Sequence, residues 1–204
     1  MIEELLKQTV LAKFDYAVIH RNSPDPRGID VAILYDRGRF RLPEKEFIPA
    51  DTLRTREIVR ARGVMEGDTI DVLATHWPSK LPGSSPSDWR RATVAAILLK
   101  KVDSLENAGH QKILIVGDFN DTPDSPIFSL LNSKMVNLSS EAAAQGLGSL
   151  RYKGRWELID QALASKNLAR EKIFFKIFSP PFILEADKRY LGQKPFRSHI
   201  GPRY

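Results

Sequence analysis

The apolar positions of this chain fall into a few short, dense runs. The densest is Ile113-Leu114-Ile115-Val116, unbroken and rich in β-branched residues. Such a run reads as a strand buried on both faces. Polarity then switches at once, through Gly117 to Asp118, Asn120 and Asp121. Side chains alternate along an extended chain, so Asp118 and Asn120 project to one side and Phe119 to the other. Phe119 is expected to anchor the turn in the core while the polar pair faces a cleft.

The same pattern predicts the other elements. Ile2, Leu5, Leu6, Val10 and Leu11 recur at helical spacing, predicting a helix over 2–12. Residues 14–20 alternate as a strand, 21–28 form a turn-rich loop with Pro24, Pro26 and Gly28, and 29–35 are the next strand. Residues 56–63 and 69–76 predict two strands joined by a turn at Met65-Glu66-Gly67-Asp68. If they pair antiparallel, Arg56 and His76 meet at one end of the sheet. Ser85-Pro86-Ser87-Asp88 reads as a helix start, and Gly109 stops that helix after about Asn107. Its buried stripe is expected from Trp89, Ala92, Ala96, Leu99 and Val102, with Arg90 and Arg91 at its start on a solvated face, the alternative being that one of them reaches the cleft. Residues 125–131 predict a short helix and 137–154 a long surface loop. Residues 156–165 predict a strand carrying Asp160, and 172–178 a further strand. An aspartate among Leu158, Ile159, Ala162 and Leu163 is costly unless paired.

Composition narrows the class. At 204 residues the chain is long enough for one domain with a sizeable core. With 31 Lys+Arg against 25 Asp+Glu, its net charge of +6 favours polyanionic partners. The absence of cysteine excludes disulfides, thiol catalysis and zinc–cysteine sites, and leaves the compartment open. No apolar run is long enough to span a membrane. The start, Met-Ile-Glu-Glu-Leu-Leu-Lys, is amphipathic and acidic, unlike a signal peptide. A soluble protein is expected, cytoplasmic by default and secreted if its natural N-terminus lies upstream.

Asp118 and Asn120 suggest a chemistry. A carboxylate can hold a metal ion or take a proton from water, and a carboxamide can donate to a phosphate oxygen. Together they could hydrolyse a phosphate ester. The other reading is a turn in which both only cap the backbone before Pro123. His76 carries a similar pair of readings, a structural hydrogen-bonder at a strand end or an active-site group. Arg56 is either a phosphate clamp or one more exposed arginine beside Arg54, Arg60 and Arg62.

Three ordered motifs carry a resemblance. Gly117-Asp118-Phe119-Asn120 is similar to the central motif of the deoxyribonuclease-like endonuclease/exonuclease/phosphatase superfamily. Thr75-His76-Trp77-Pro78-Ser79 resembles an upstream motif of that family, and Leu158-Ile159-Asp160-Gln161-Ala162-Leu163 a downstream one. Order and spacing resemble the family from about Arg27 to Tyr204, most nearly its bacterial members. The resemblance implies an α/β (α+β) fold, a four-layer sandwich of two mostly antiparallel β-sheets flanked by helices. It implies divalent-metal-dependent hydrolysis of phosphate esters with Mg²⁺ or Mn²⁺, by a phosphodiesterase or nuclease. The alternatives are a phosphatase on a lipid or small phosphoester, and a catalytically inactive nucleic-acid-binding module. The implied partner is a phosphate-ester substrate, nucleic acid included, with no obvious protein partner.

The resemblance also assigns roles. Asp118 orients or deprotonates the attacking water and is the metal ligand this chain retains. Asn120 and His76 hydrogen-bond the phosphoryl oxygens, Arg56 and Arg27 bind the substrate phosphate, and Asp160 supports a histidine near the C-terminus. Other family parts have no match. The family's early asparagine and glutamate, the latter its principal metal ligand, precede the position of the 2–12 helix. Ser198-His199 lacks the aspartate of the C-terminal Ser-Asp-His motif, and His199 reads as a loop residue. The expectation is a single domain over 1–204, incomplete at both termini and lacking terminal strands.

Overall fold

A short helix, α1 (Ile2–Gln8), opens the computed structural model, which describes residues 2–80, 86–171 and 173–196. Thr9 ends the helix earlier than the spacing predicts. Its hydroxyl accepts the Leu11 N–H at 3.2 Å, and a 3-10 turn, Val10–Lys13, follows. Such local side-chain bonds compete with helix continuation. Strands β1 (Tyr16–His20) and β2 (Ala32–Asp36) then pair antiparallel as a two-stranded sheet, with His20 opposite Ala32.

Strands β3 (Phe40–Ile48), β4 (Ile58–Met65) and β5 (Asp68–His76) form an antiparallel meander. The hydrophobic pattern does not announce β3, because Arg41, Glu44, Lys45 and Glu46 interrupt Phe40, Leu42 and Phe47. The β4–β5 turn is the predicted one. Glu66 and Gly67 both have positive φ, +53° and +92°, which matches the right-handed strand twist. Helix α2 (Pro86–Asn107) crosses over to β6 (Ile113–Asp118), which lies parallel to β5.

Short elements follow: α3 (Ser129–Asn132), β7 (Met135–Asn137), α4 (Ser140–Ala144), β8 (Leu150–Tyr152) and β9 (Arg155–Glu157). Then come β10 (Asp160–Ser165), α5 (Lys166–Ala169), β11 (Leu184–Ala186) and β12 (Gln193–Pro195). Three expectations are corrected. The 137–154 loop contains α4 and β8, and the 156–165 strand is two strands, β9 pairing with β8 and β10 pairing with β6. No strand forms over 173–178. The Ser85 cap, Lys172 and Ser198-His199 lie outside the described residues.

The main sheet has six strands in the order β3-β4-β5-β6-β10-β7, and only the β5–β6 junction is parallel. Alternation decides which layer each residue meets. Ile58, Leu73, Ile113, Ile115 and Leu163 face α2, where they pack on Val94, Ala95, Leu98, Val102 and Leu105. Val59, Ala61, Ile70 and Ala164 face the other way, with Ile19 of β1 and Ile33 and Tyr35 of β2. The chain is thus α+β, a mixed sheet with a second sheet on one face and helices flanking. Each fully buried Leu, Ile or Val side chain contributes roughly 1.5–3 kcal/mol of transfer free energy.

The buried stripe of α2 is rotated from the expected one. Trp89 is 56% exposed, whereas Arg91, Val94, Ala95, Leu98, Val102 and Leu105 are buried. Placing Arg91 on a solvated face hid this stripe, because it is Arg91 that completes the spacing. Among the described residues, no helix is long and apolar enough to cross a membrane.

Candidate active site

Three neighbouring strands bring their polar ends together. His76 closes β5, Asp118 closes β6, and the two are register partners at the C-terminal ends of the parallel pair. Asp160 opens β10 opposite Asp118. His76, Asp118 and Asp160 therefore form a row across the sheet, on the face where β1 and β2 pack. A crevice at the carboxyl ends of parallel strands is a common place for ligands.

The turn after β6 depends on Gly117. Its φ is +143°, and a Cβ there would stand 1.8 Å from the Thr75 carbonyl oxygen. Only glycine lets β6 approach β5 this closely. Phe119 then points into the core as the alternation predicts. Its ring lies 4.9 Å from Trp77 and 5.4 Å from Phe128, and all three are fully buried. Asn120 has φ +49°, a left-handed conformation that asparagine tolerates well. Its N–H donates to Asp118 Oδ1 at 2.7 Å and its Nδ2 donates to the Trp77 carbonyl at 2.8 Å.

Asp118 and His76 are tuned in opposite directions. Burial pushes the Asp118 carboxyl up to about 6, and the nearby Asp160 carboxylate adds to the rise. The Asn120 N–H and Arg56 oppose it. Burial also holds the His76 imidazole down at about 4, with Arg56 and Arg27 adding to the effect. His76 Nε2 stands 3.6 Å from Asp118 Oδ2, which is ion-pair range but too long for a hydrogen bond. At neutral pH the pair is a carboxylate beside a neutral ring, so their attraction is weak.

Arg56 sits close by but is not free. Its Nη1 donates to Asp25 Oδ2 at 2.7 Å, and its Nη2 to the Trp77 carbonyl at 2.7 Å. Arg27 grips the same Asp25 with Nε at 3.0 Å and Nη2 at 2.9 Å. Arg27 first, then Arg56, holds the Asp25 carboxyl well below the usual carboxylate range, against the cost of its burial. Asp25 thus brings the two arginines together beside His76. Asp160 is exposed, and its carboxylate has no hydrogen-bond or ion-pair partner among the described residues. Its placement at the end of the apolar strand, not inside it, removes the desolvation cost its apolar flanks suggest.

Beneath the row lies a second buried group, which the motif's last aspartate anchors. Asp121 is 3% exposed. Its carboxylate accepts from Arg91 Nε at 3.1 Å and pairs with Lys80 Nζ at 2.6 Å, and its carbonyl accepts from Gln161 Nε2 at 2.6 Å. Asp121 therefore ties α2 and β10 to the turn that holds Asp118. Sequence reasoning missed the roles of Asp25, Arg91 and Gln161, because the partners that tie them to the site, Arg56 for Asp25 and Asp121 for the other two, lie 30 or more residues away.

The chain matches the sequence profile of the Endonuclease/Exonuclease/phosphatase family over residues 1–204. It belongs to that family. No curated protein matches it in sequence. Similar solved structures show the family fold. D. rerio TDP2 humanized by 14 mutations is 15% identical, with a TM-score of 0.59 over 80% of this chain and 65% of that one. The human Nocturnin catalytic domain with bound sulfate is 19% identical, with a TM-score of 0.58 over 77% and 63%. A mannosyl-6-phosphatase from Bacteroides thetaiotaomicron is 14% identical, with a TM-score of 0.57 over 80% and 66%. This family chain thus spans just under two thirds of the length of each.

Family members generally use divalent metals. The described residues of this chain do not fit one by themselves. Asp118 and Asp160 are neighbours, but no group of three His, Cys, Asp or Glu that could hold a metal ion occurs among the described residues.

Proposed function

We propose that this family chain handles the phosphoryl group in a phosphoester hydrolase, with phosphodiesters such as nucleic acid as its substrate class. The observation that carries the reading is the in-register row of His76, Asp118 and Asp160, with Asn120 fixing the turn. Asp118, ionised at neutral pH yet with its carboxyl raised to about 6, has the basicity to take a proton from an attacking water. Neutral His76 donates a ring N–H to a phosphoryl oxygen as charge builds there. Asn120 holds the Trp77 carbonyl and the Asp118 carboxylate in place. Arg27 and Arg56 supply positive charge beside the row. The expected Mg²⁺ or Mn²⁺ enters no step here, since the described residues do not complete a site for it.

The net charge of +6 favours a polyanionic substrate over a small one. Neighbouring structures support both classes, since D. rerio TDP2 is complexed with a single strand DNA product and another neighbour is a mannosyl-6-phosphatase. The test is hydrolysis of bis-(p-nitrophenyl) phosphate and plasmid DNA, with Mg²⁺, with Mn²⁺ and with chelator. Wild type is expected to hydrolyse at least one of them, and Asp118→Ala to lose about 10²–10⁴-fold. Equal rates in wild type and Asp118→Ala overturn the proposal. Equal rates with metal and with chelator remove the metal from it.

A further inference from the structure

A cleft of about 410 Å³ opens beside Arg56, lined by Asp25, Arg27, Arg54, Arg56, Ser79 and Arg90 among others. Four arginines and one carboxylate are among its lining residues. Asp25 is already shared between Arg27 and Arg56. Arg54 has no hydrogen-bond or ion-pair partner among the described residues and is exposed. Among the described residues, Arg90 meets only the Leu53 carbonyl, at 3.3 Å. Arg56 is 3% exposed, and its Nε is buried without a partner among the described residues. A buried donor left unpaired is costly, and four guanidinium groups against one carboxylate leave the cleft strongly positive.

We propose that this cleft is a subsite for a second phosphate of the substrate, so that the preferred ligands carry two phosphoryl groups. The inference deepens the phosphoester reading above and rests on it for the place of the first phosphate. The argument is geometric. The Trp77 carbonyl accepts both from Asn120 Nδ2 and from Arg56 Nη2, so Arg56, which lines the cleft, shares an acceptor with the turn that holds Asp118. A planar guanidinium matches a phosphate through paired hydrogen bonds. Arg54 and Arg90 are the two that no carboxylate engages among the described residues, and they are the specificity-determining groups. The second phosphate comes from a neighbouring nucleotide or from a small bisphosphate. The chemistry is the same, and ligand choice separates the sources.

The experiment is calorimetric titration of the full chain in chelator at low salt. The probes are thymidine 3′,5′-bisphosphate against thymidine 3′-monophosphate, and fructose 1,6-bisphosphate against fructose 6-phosphate. Bisphosphate is expected to bind about tenfold or more tightly than its monophosphate. Arg54→Asn and Arg90→Gln are expected to abolish that advantage while leaving monophosphate affinity within about twofold. Asparagine suits the left-handed backbone of Arg54, φ +43°, and Arg90→Lys provides a second variant that keeps the charge and part of the advantage. An advantage for the nucleotide pair alone assigns the subsite to a nucleic-acid chain, and an advantage for both pairs assigns it to bisphosphates generally. No advantage in wild type overturns the proposal, as does equal weakening of mono- and bisphosphate in the variants. If the advantage stands while Asp118→Ala leaves hydrolysis unchanged, the subsite holds and the catalytic reading falls.

Discussion

Arg56 and Asn120 donate to the same atom. The Trp77 carbonyl oxygen receives Arg56 Nη2 at 2.7 Å and Asn120 Nδ2 at 2.8 Å. One peptide thus links the start of β4, the end of β5 and the turn after β6. Its neighbour His76 is held in place by bonds made to residue 77. The predicted consequence is energetic coupling. Arg56→Ala leaves the buried Asp25 to Arg27 alone and is expected to cost about 3 kcal/mol. Asn120→Ala loses one hydrogen bond and puts alanine at a positive φ, costing about 1–3 kcal/mol. In a double-mutant cycle by urea denaturation, the two are expected to couple by about 0.5–1 kcal/mol. Strict additivity would show that the shared carbonyl transmits nothing.

Gly117→Ala is expected to cost more than about 3 kcal/mol, because its Cβ meets the Thr75 carbonyl oxygen and its φ of +143° disfavours any side chain. Gly67→Ala, also at positive φ but with open space around it, is the control. It is expected to cost only about 1–2 kcal/mol. Thermal melts of the two variants check the difference. Similar losses would mean that backbone conformation, and not the close approach of β6 to β5, makes the site need glycine.

Stability should depend on pH through two opposing groups. The Asp118 carboxyl is raised to about 6, above its unfolded value of about 3.9, so the folded state binds more protons between those values and stability falls as pH rises through them. The His76 imidazole is lowered to about 4 from about 6.5, so the unfolded state binds more protons and stability rises with pH over nearly the same window. Each effect is on the order of 3 kcal/mol at most, and in wild type they largely cancel. Asp118→Asn should therefore leave a protein that loses stability as pH falls from 6.5 to 4. His76→Gln should leave one that gains stability over the same fall. Denaturation midpoints at pH 4.5 and 7 test both signs. If the proposed base role of Asp118 holds, kcat/KM also falls below about pH 6.

The Arg91–Asp121 pair is buried on both sides, with Arg91 fully inside and Asp121 3% exposed. Arg91→Ala leaves the buried Asp121 carboxylate with only the exposed Lys80 to balance it among the described residues, and is expected to cost about 3 kcal/mol. Replacing both, as Arg91→Met with Asp121→Leu, is expected to recover a large part of that loss in stability. Lys80 Nζ, which also pairs with Asp121, then turns to solvent. Chemical denaturation of the three proteins checks the order. A double variant as unstable as the single one would assign the loss to packing instead of charge.

Much of the fold was legible because period-two alternation and turn glycines act locally. The strands around Ile113 and Thr69, the Glu66-Gly67 turn and the end of α2 before Gly109 all follow from residues a few positions apart. Strand β3 was not legible, since its charges pair with Arg60, Arg62 and Lys101 from other elements. The stripe of α2 was misread for a related reason. Arg91 is buried by Asp121, which lies 30 positions away.

Of the site, the sequence by itself determined the family, the strand ends that carry His76 and Asp118, and the inward Phe119, because each follows from a motif or from local alternation. Tertiary structure alone decided that Asp160 is exposed beside Asp118, that Asp25 binds both Arg27 and Arg56, and that Arg54 and Arg90 share a cleft with them. Those outcomes depend on strand register, on burial and on which distant charges meet. A sequence holds that information only through the packed fold.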